Sequence, residues 1–311
     1  MKITTSYPKL MEPGRFGDLE LPHRIVMSPM GTLFAGEWGE VTDTLINYLV
    51  RRARGGVGMV TTEICHVGTS IDPLRTLARV LRLDDDLYIP GMATLTEAVH
   101  QAGAYIAVEL TAGGGTQASG GPWMPGQAEV EDVPQASPSG IPSPVYPNKK
   151  TRALTVDEVV RMVELFARGA ARAKQAGFDA IEIHAHQGYL IAQFMSPYFN
   201  KRNDRYGGSP AGRLRLLLEI VEATRGKVGP GFPIGVRYSI DEYIEGGLEI
   251  AEGLDIARKL EEAGIDDIHV ACGVYGSRLT VTAPMYHPPG YMVHLAQAVK
   301  QVVKKTTVTV S

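Results

Sequence analysis

Residues Ile181 to Ser209 read IEIHAHQGYLIAQFMSPYFNKRNDRYGGS. The segment opens as a buried strand and then sets two histidines, a glutamine and a tyrosine between His184 and Tyr189. It closes on Gly207 and Gly208, a turn signal, before an amphipathic stretch that begins at Ala211. Strand, then proton-handling side chains, then helix is the order found where an α/β enzyme places its chemistry.

Outward from this stretch, short apolar runs alternate with longer amphipathic ones. Candidate strands are residues 24–29, 57–62, 105–110, 180–184, 233–237, 267–271 and 307–310. The clearest helices are 42–54, 156–177, 211–228 and 251–264. In the second of these, Val159, Val160, Val163, Phe166 and Ala167 recur at helical spacing, which predicts one buried face. Gly177 and Gly264 each stand between a helix and the next strand, as left-handed stops do.

Apolar, non-alternating strands separated by helices predict a parallel sheet, here a (β/α)8 TIM barrel in preference to a doubly wound sheet. No G-x-G-x-x-G follows the first strand, so the main sign of a dinucleotide-binding Rossmann unit is missing. The glycine-rich GGGTQASGGPWMPG (113–126) has no Lys-Ser/Thr after it and is no P-loop; it belongs to an irregular excursion over 111–153. Seven strands are readable, and the chain reaches Ser311 in or just after the seventh. The eighth strand and helix are therefore expected to be lacking from this sequence, as in a fragment of a longer protein.

The 311 residues carry a formal charge of -3, with 31 basic and 34 acidic side chains and no long run of one sign. Nucleic acid and acidic membrane surfaces gain no support from that balance. Cys65 and Cys272 are the two cysteines, neither a disulfide framework nor a zinc or iron–sulfur ligand set, which fits a reducing compartment. MKITTSYPKLMEPGRFG at the start has no apolar signal core, and no apolar run approaches about 20 residues. A cytoplasmic protein with a small-molecule partner is expected, with homo-oligomerisation left open.

The strand ends, read in order, present Ser28 to Thr32, Glu63, Glu109 with Thr111, His184 to Tyr189, Arg237 with Ser239, and Cys272-Gly273. That set joins a fixed cation, several donors, a phenol and an imidazole. No histidine and carboxylate set has the helical i, i+4 spacing of a zinc site, so no metal is expected. No lysine stands at a strand end, which argues against Schiff-base chemistry. Each residue also has a plainer reading: His184 as a satisfied structural histidine, Arg237 as the partner of Glu182 or Glu109, Tyr189 as a core aromatic on a short helix. Spacing by itself reaches only a barrel enzyme of open chemistry.

Taken together, the pattern resembles the Old Yellow Enzyme family of flavin-dependent reductases, and within it the branch of 2,4-dienoyl-CoA and 2-enoate reductases. The opening stretch is similar to the family's E-I-H-x-x-H-G-Y-L-x-x-Q-F-x-S-P…N-x-R-x-D-x-Y-G-G-S signature. LPHRIVMSPMGT (21–32), GVGMVTTE (56–63), GRLRLLLEI (212–220) and GVRYSIDEYIEGGL (235–248) support it, in order, from about Leu10 onward.

The resemblance implies FMN across the barrel mouth and hydride passed from NAD(P)H through flavin N5 to an alkene conjugated to a carbonyl. His184 and Gln187 match the pair that polarises the carbonyl oxygen, with Gln187 an amide where the family has His or Asn. Tyr189 matches the proton donor to the other alkene carbon. Ser28, Pro29, Met30 and Gly31 match the first-strand segment beneath the flavin ring, and Arg237 the arginine facing N1 and O2. Glu109 stands where the family usually has Gln; a carboxylate accepts from N3–H but repels O2 unless protonated or paired with Arg237. His186 is an extra imidazole without a counterpart, and its plain reading points it into the barrel wall. Thr32 beside Gly31 is expected to share in tuning the flavin, and Tyr275 stands close to where dienoyl reductases place a second catalytic His.

The branch also implies a 4Fe-4S site and nucleotide-binding domains with FAD downstream of an FMN barrel spanning 1–311. Two rivals remain. Amine dehydrogenases of the trimethylamine type tether flavin through a Cys at the position of Gly31, which a glycine cannot do. A flavin-free ligand-binding barrel is the rival outside enzymes.

Overall fold

The computed structural model describes residues 7–71, 79–117, 135–142, 151–277 and 283–311. The chain begins with an antiparallel hairpin, β1 (Gly14–Phe16) and β2 (Leu19–Leu21). The main sheet follows with β3 (Val26–Met27), β4 (Met59–His66), the short β5 (Leu81–Arg82) beside β4, and β6 (Tyr105–Thr111). A small parallel pair, β7 (Gln135–Ser137) and β8 (Thr151–Ala153), leads to β9 (Ala180–Ala185), β10 (Ile234–Ser239), β11 (Asp267–Ala271) and β12 (Thr307–Val310). Strands β3, β4, β6, β9, β10, β11 and β12 are hydrogen-bonded in that order and all parallel. This is the expected α/β barrel architecture with seven strands. Among the described residues β3 and β12 do not pair, and a cleft of about 760 Å³ lies between them.

Helices fill each crossover: α1 (Asp43–Arg54), α2 (Ile89–Gln101), α3 (Val156–Gln175), α4 (Leu190–Met195) with α5 (Pro210–Val228), α6 (Ile250–Glu262) and α7 (Val293–Val302). The starts of the long ones are written in the sequence. Thr155 and Glu158 form a reciprocal capping box at α3, and the Ser209 hydroxyl accepts from the Gly212 amide at α5, with Pro210 in the first turn. Gly177 and Gly264 take φ of 88° and 80°, as helix stops. At Gly212 a Cβ would stand 2.1 Å from the Gly207 carbonyl oxygen, so the glycines of the decisive stretch let α5 close against its own entry turn.

The strands have two unlike faces. Ile106, Val108, Leu110, Ile181, Ile183, Val236, Tyr238, Ile268 and Val270 join the helices in the main core. The alternate residues point inward. At the bottom, Met59, Ala107 and Ala180 pack on Phe16 and Leu21 of the hairpin, which plugs the barrel floor. Above that layer the inward positions are polar: Glu109, Thr111, Glu182, His184, Asp267 and His269 are all buried. Polar residues reserved for one end of a barrel interior leave that end available for chemistry.

One local reading changes, and several elements are added. Strand 24–29 shortens to Val26–Met27, because the residues after it form the loop held by Glu63. Helices α2 and α7 and the β1–β2 hairpin go beyond the sequence reading. In α2 the turn-like Pro90-Gly91 begins the helix instead of breaking it. Most of 113–126 lies outside the described residues.

Candidate active site

His184 is the last inward residue of β9, and the chain then turns sharply: Gln187 and Gly188 take φ of 53° and 77°. A non-glycine residue in the left-handed region is disfavoured and persists only where its surroundings hold it. Here the main-chain N–H of Gln187 donates to the Ser239 hydroxyl at 2.9 Å, and that hydroxyl donates to the Gly273 carbonyl at 2.9 Å. The Gln193 amide donates to the Gly188 carbonyl at 2.6 Å. Strands β10 and β11 thus clamp the exit of β9, and Tyr189 leaves it as the N-cap of α4.

The turn gathers four rings. His184 packs edge-on against His186 at 4.4 Å and against Tyr189 at 4.6 Å between centroids. The Tyr189 and Tyr275 hydroxyls are hydrogen-bonded at 2.9 Å. Burial, with Tyr275 next, raises the Tyr189 phenol well above its ordinary 10, so it keeps its proton at neutral pH. Burial lowers His184 to about 3, which leaves a neutral imidazole. Its Nδ1 lies 3.2 Å from the Thr111 hydroxyl; a ring that accepts from Thr111 carries its proton on Nε2, as a donor.

Glu109 lies deeper, its Oε1 3.5 Å from Arg237 Nη1 and 3.6 Å from His186 Nε2. The plainer reading of Arg237, a carboxylate partner, therefore holds for Glu109 as well. Glu109 and Glu182 are register partners across β6 and β9. Burial and then the Glu109 charge raise Glu182 well above the carboxylate range. Its Oε2 lies 2.8 Å from His269 Nδ1. His186 is buried, not solvated, and its Nδ1 has no partner. Thus Glu109, His184 and His186, for which helical spacing predicted no metal set, bring ligand-type atoms within 4.8 Å of one another.

The first-strand segment reaches the site differently. Ser28 and Pro29 are half-buried, Met30 is 53% exposed, and Gly31 has no heavy atom within 4 Å of where a Cβ would stand. One carboxylate oxygen of Glu63 accepts from the Thr32 amide at 2.6 Å, the Thr32 hydroxyl at 2.7 Å and the Leu33 amide at 3.1 Å. Thr32 is occupied in holding the loop. Glu63 is the residue whose task the sequence did not disclose, since only the fold brings strand two under the loop after strand one. Ser28 lines the cleft between β3 and β12, together with Glu182, Asp267 and His269.

Burial holds Asp267 at about 7 against an ordinary 3.8, and lowers His269 to about 3 from 6.5. Folding favours the protonated carboxyl, so Asp267 contributes fully below about 3.8 and that contribution is lost as pH rises through about 7. His269 acts oppositely: its contribution is lost as pH falls from 6.5 towards about 3. Asp267→Asn can still accept from the Thr309 hydroxyl, which lies 2.5 Å away. It should gain stability relative to wild type between about pH 4 and 7, by at most about 1.4 kcal/mol per pH unit. Urea unfolding at both ends of that range reads the difference. A difference independent of pH would show that Asp267 does not titrate there.

Three comparisons bear on the site. The family described as NADH:flavin oxidoreductase / NADH oxidase matches residues 9–311. The chain is 41% identical over 306 residues to the NADH oxidase of Thermoanaerobacter brockii, covering 98% of this chain and 45% of that one. It is 34% identical over 320 residues to the cinnamate reductase of Clostridium sporogenes, covering 97% and 47%. Among solved structures, a 2-naphthoyl-CoA reductase complex superposes with a TM-score of 0.87 at 27% identity, over 98% of this chain and 46% of the other. The chain spans about half the length of these relatives.

Proposed function

The chain belongs to the NADH:flavin oxidoreductase / NADH oxidase family, and from that premise we propose that it is an FMN-dependent ene-reductase taking electrons from NAD(P)H. Its substrate in this reading is an alkene conjugated to a carbonyl: an enoate, an enone or an enoyl thioester. The observation that carries the proposal is the pairing of a neutral His184 with a protonated Tyr189 across 4.6 Å at the barrel mouth. Cinnamate is an enoate, so the name of the Clostridium sporogenes relative points to the same substrate class.

The residues present fit a flavin. Arg237 is a permanent cation near the mouth whose Nε is buried without a partner, and its planar fork suits the N1 and O2 edge of an isoalloxazine. Gly31 leaves open space beside Ser28, Pro29 and Met30, which would lie beneath the ring. The concern over Glu109 repelling O2 is reduced by the Arg237 guanidinium at 3.5 Å. FMN bound there would supply hydride transfer between NAD(P)H and the alkene.

The chain's own residues do the rest. His184, uncharged, donates a hydrogen bond to the substrate carbonyl oxygen, where negative charge grows during reduction; a donor placed in advance is the effective kind. The Gln187 side chain supplies the second donor, and the left-handed turn with the Ser239 bond fixes where it starts. Tyr189 gives its proton to the alkene carbon, and Tyr275 is hydrogen-bonded to the oxygen that is left. Residues 1–311 act as the FMN-binding unit in this reading, and 4Fe-4S or FAD chemistry is no part of what they do.

Purification of the native chain with its cofactor, followed by anaerobic reaction with NADH and NADPH, tests the proposal. Flavin absorption bands should be present and bleach with one of the two reductants. They should return when enoates, enones or enoyl-CoA thioesters are added. A protein that stays colourless after incubation with FMN would overturn the reading in favour of a ligand-binding barrel.

A further inference from the structure

We propose, resting on the reading of His184 and Tyr189 above, that Gln193 is a positioning residue of the site. Its side chain ties the exit of β6 to the exit of β9, and so fixes where the Tyr189 phenol stands relative to the His184 ring. Gln193 lies on α4 and is fully buried, at 0% exposure. Its Nε2 donates to the Gly188 carbonyl at 2.6 Å and to the Gly114 carbonyl at 3.3 Å. Its Oε1 accepts from the main-chain N–H of Thr116 at 3.2 Å. These partners fix the amide's orientation, since the flipped group would set its oxygen against two carbonyls. Gly115 admits the approach: a Cβ there would stand 2.3 Å from Gln193 Nε2, and the residue takes φ of 56°.

The bonds converge on Tyr189. The peptide before it is held through the Gly188 carbonyl by Gln193 Nε2, and through the Tyr189 N–H, which donates to the His186 carbonyl at 3.1 Å. The peptide after it is held through the Tyr189 carbonyl, which accepts from the Gln193 N–H at 2.9 Å. The Leu190 N–H of that same peptide donates to the Gly113 carbonyl at 3.3 Å. With both flanking peptide planes fixed, the direction in which the Tyr189 side chain leaves the backbone is fixed too. The loop on the other side carries Thr111, whose hydroxyl accepts from the Gly113 N–H at 3.4 Å and lies 3.2 Å from His184 Nδ1. One amide therefore connects the proton donor with the group that orients the oxyanion donor, and a substrate must meet both at once. Misplacing such a group by about an ångström can cost about 10²-fold in rate.

Stopped-flow measurement of each half-reaction, on the native chain loaded with FMN, tests this. Gln193→Met keeps the volume and removes all three side-chain bonds. It should slow the alkene half-reaction by about 10²-fold and leave flavin reduction by NAD(P)H nearly unchanged. In a Tyr189→Phe background the same substitution should cost far less, because the hydroxyl that it places is gone, whereas independent damage would add in full. Gln193→Glu, while protonated, still donates to Gly188 and accepts from Thr116. It should recover much of the rate at low pH and lose it as pH rises, and it carries the test if Gln193→Met does not fold. An unchanged alkene half-reaction, equal slowing of both half-reactions, additive losses with Tyr189→Phe, or a Gln193→Glu rate that follows wild type at every pH would overturn the role. Wild type in the same assay separates the two readings. If it reduces no alkene, the ene-reductase reading falls and this role with it; if it is active and the variants match it, only the role of Gln193 falls.

Discussion

Tyr189→Phe is expected to slow alkene reduction by about 10²–10⁴-fold, the usual worth of a positioned general acid, while reduction of bound flavin by NAD(P)H stays nearly intact. The phenol is held by Tyr275 at 2.9 Å and by edge-on packing against His184. Burial keeps its proton on at neutral pH, so it is in the donor state when the substrate needs a proton. Phe keeps the ring and its packing and removes only the hydroxyl, which separates chemistry from structure. Stopped-flow measurement of the two half-reactions reads the effect. A loss below roughly threefold in the alkene half-reaction would show that the proton comes from elsewhere.

The second large effect is at His184. His184→Ala should cost about 3–4 kcal/mol in transition-state stabilisation, as removal of one preorganised oxyanion donor does, and should weaken binding of phenols, which resemble the developing enolate. The ring is neutral, with burial lowering it to about 3, so its contribution is a hydrogen bond and not a charge. His184→Asn, still a donor, should recover part of both losses. Ligand affinity and turnover that do not change in the alanine variant would make His184 a structural residue that supports Tyr189 and His186.

Much of this molecule is legible along the chain. The seven parallel strands follow from apolar runs that do not alternate, and their order round the sheet from helical stretches that return the chain in one sense. Helix α3 is visible along most of its length because its cap, its Gly177 stop and the buried Val159, Phe166 and Ala167 agree, although Val160, expected on the same face, is 45% exposed. The stretch from Ile181 to Ser209 also shows that chemistry collects after the fourth of these strands, since a strand end is a local feature.

What each candidate side chain does there is decided by neighbours distant in sequence. Glu109 and Glu182 face one another from strands 73 residues apart (109 from 182), and burial together with that pairing raises Glu182 above the carboxylate range. His184 is neutral because the fold buries it, and a lone histidine in a sequence carries no sign of its burial. Glu63 supports the loop after β3 from the next strand along. Helical spacing could not show that Glu109, His184 and His186 bring ligand-type atoms within 4.8 Å, because Glu109 comes from another strand and His186 from the turn after β9. Periodicity is a property of one segment, so sequence could determine the elements and their order. Proton state, hydrogen-bond partner and ligand set depend on which segments the barrel brings face to face, and those were decided by the tertiary structure.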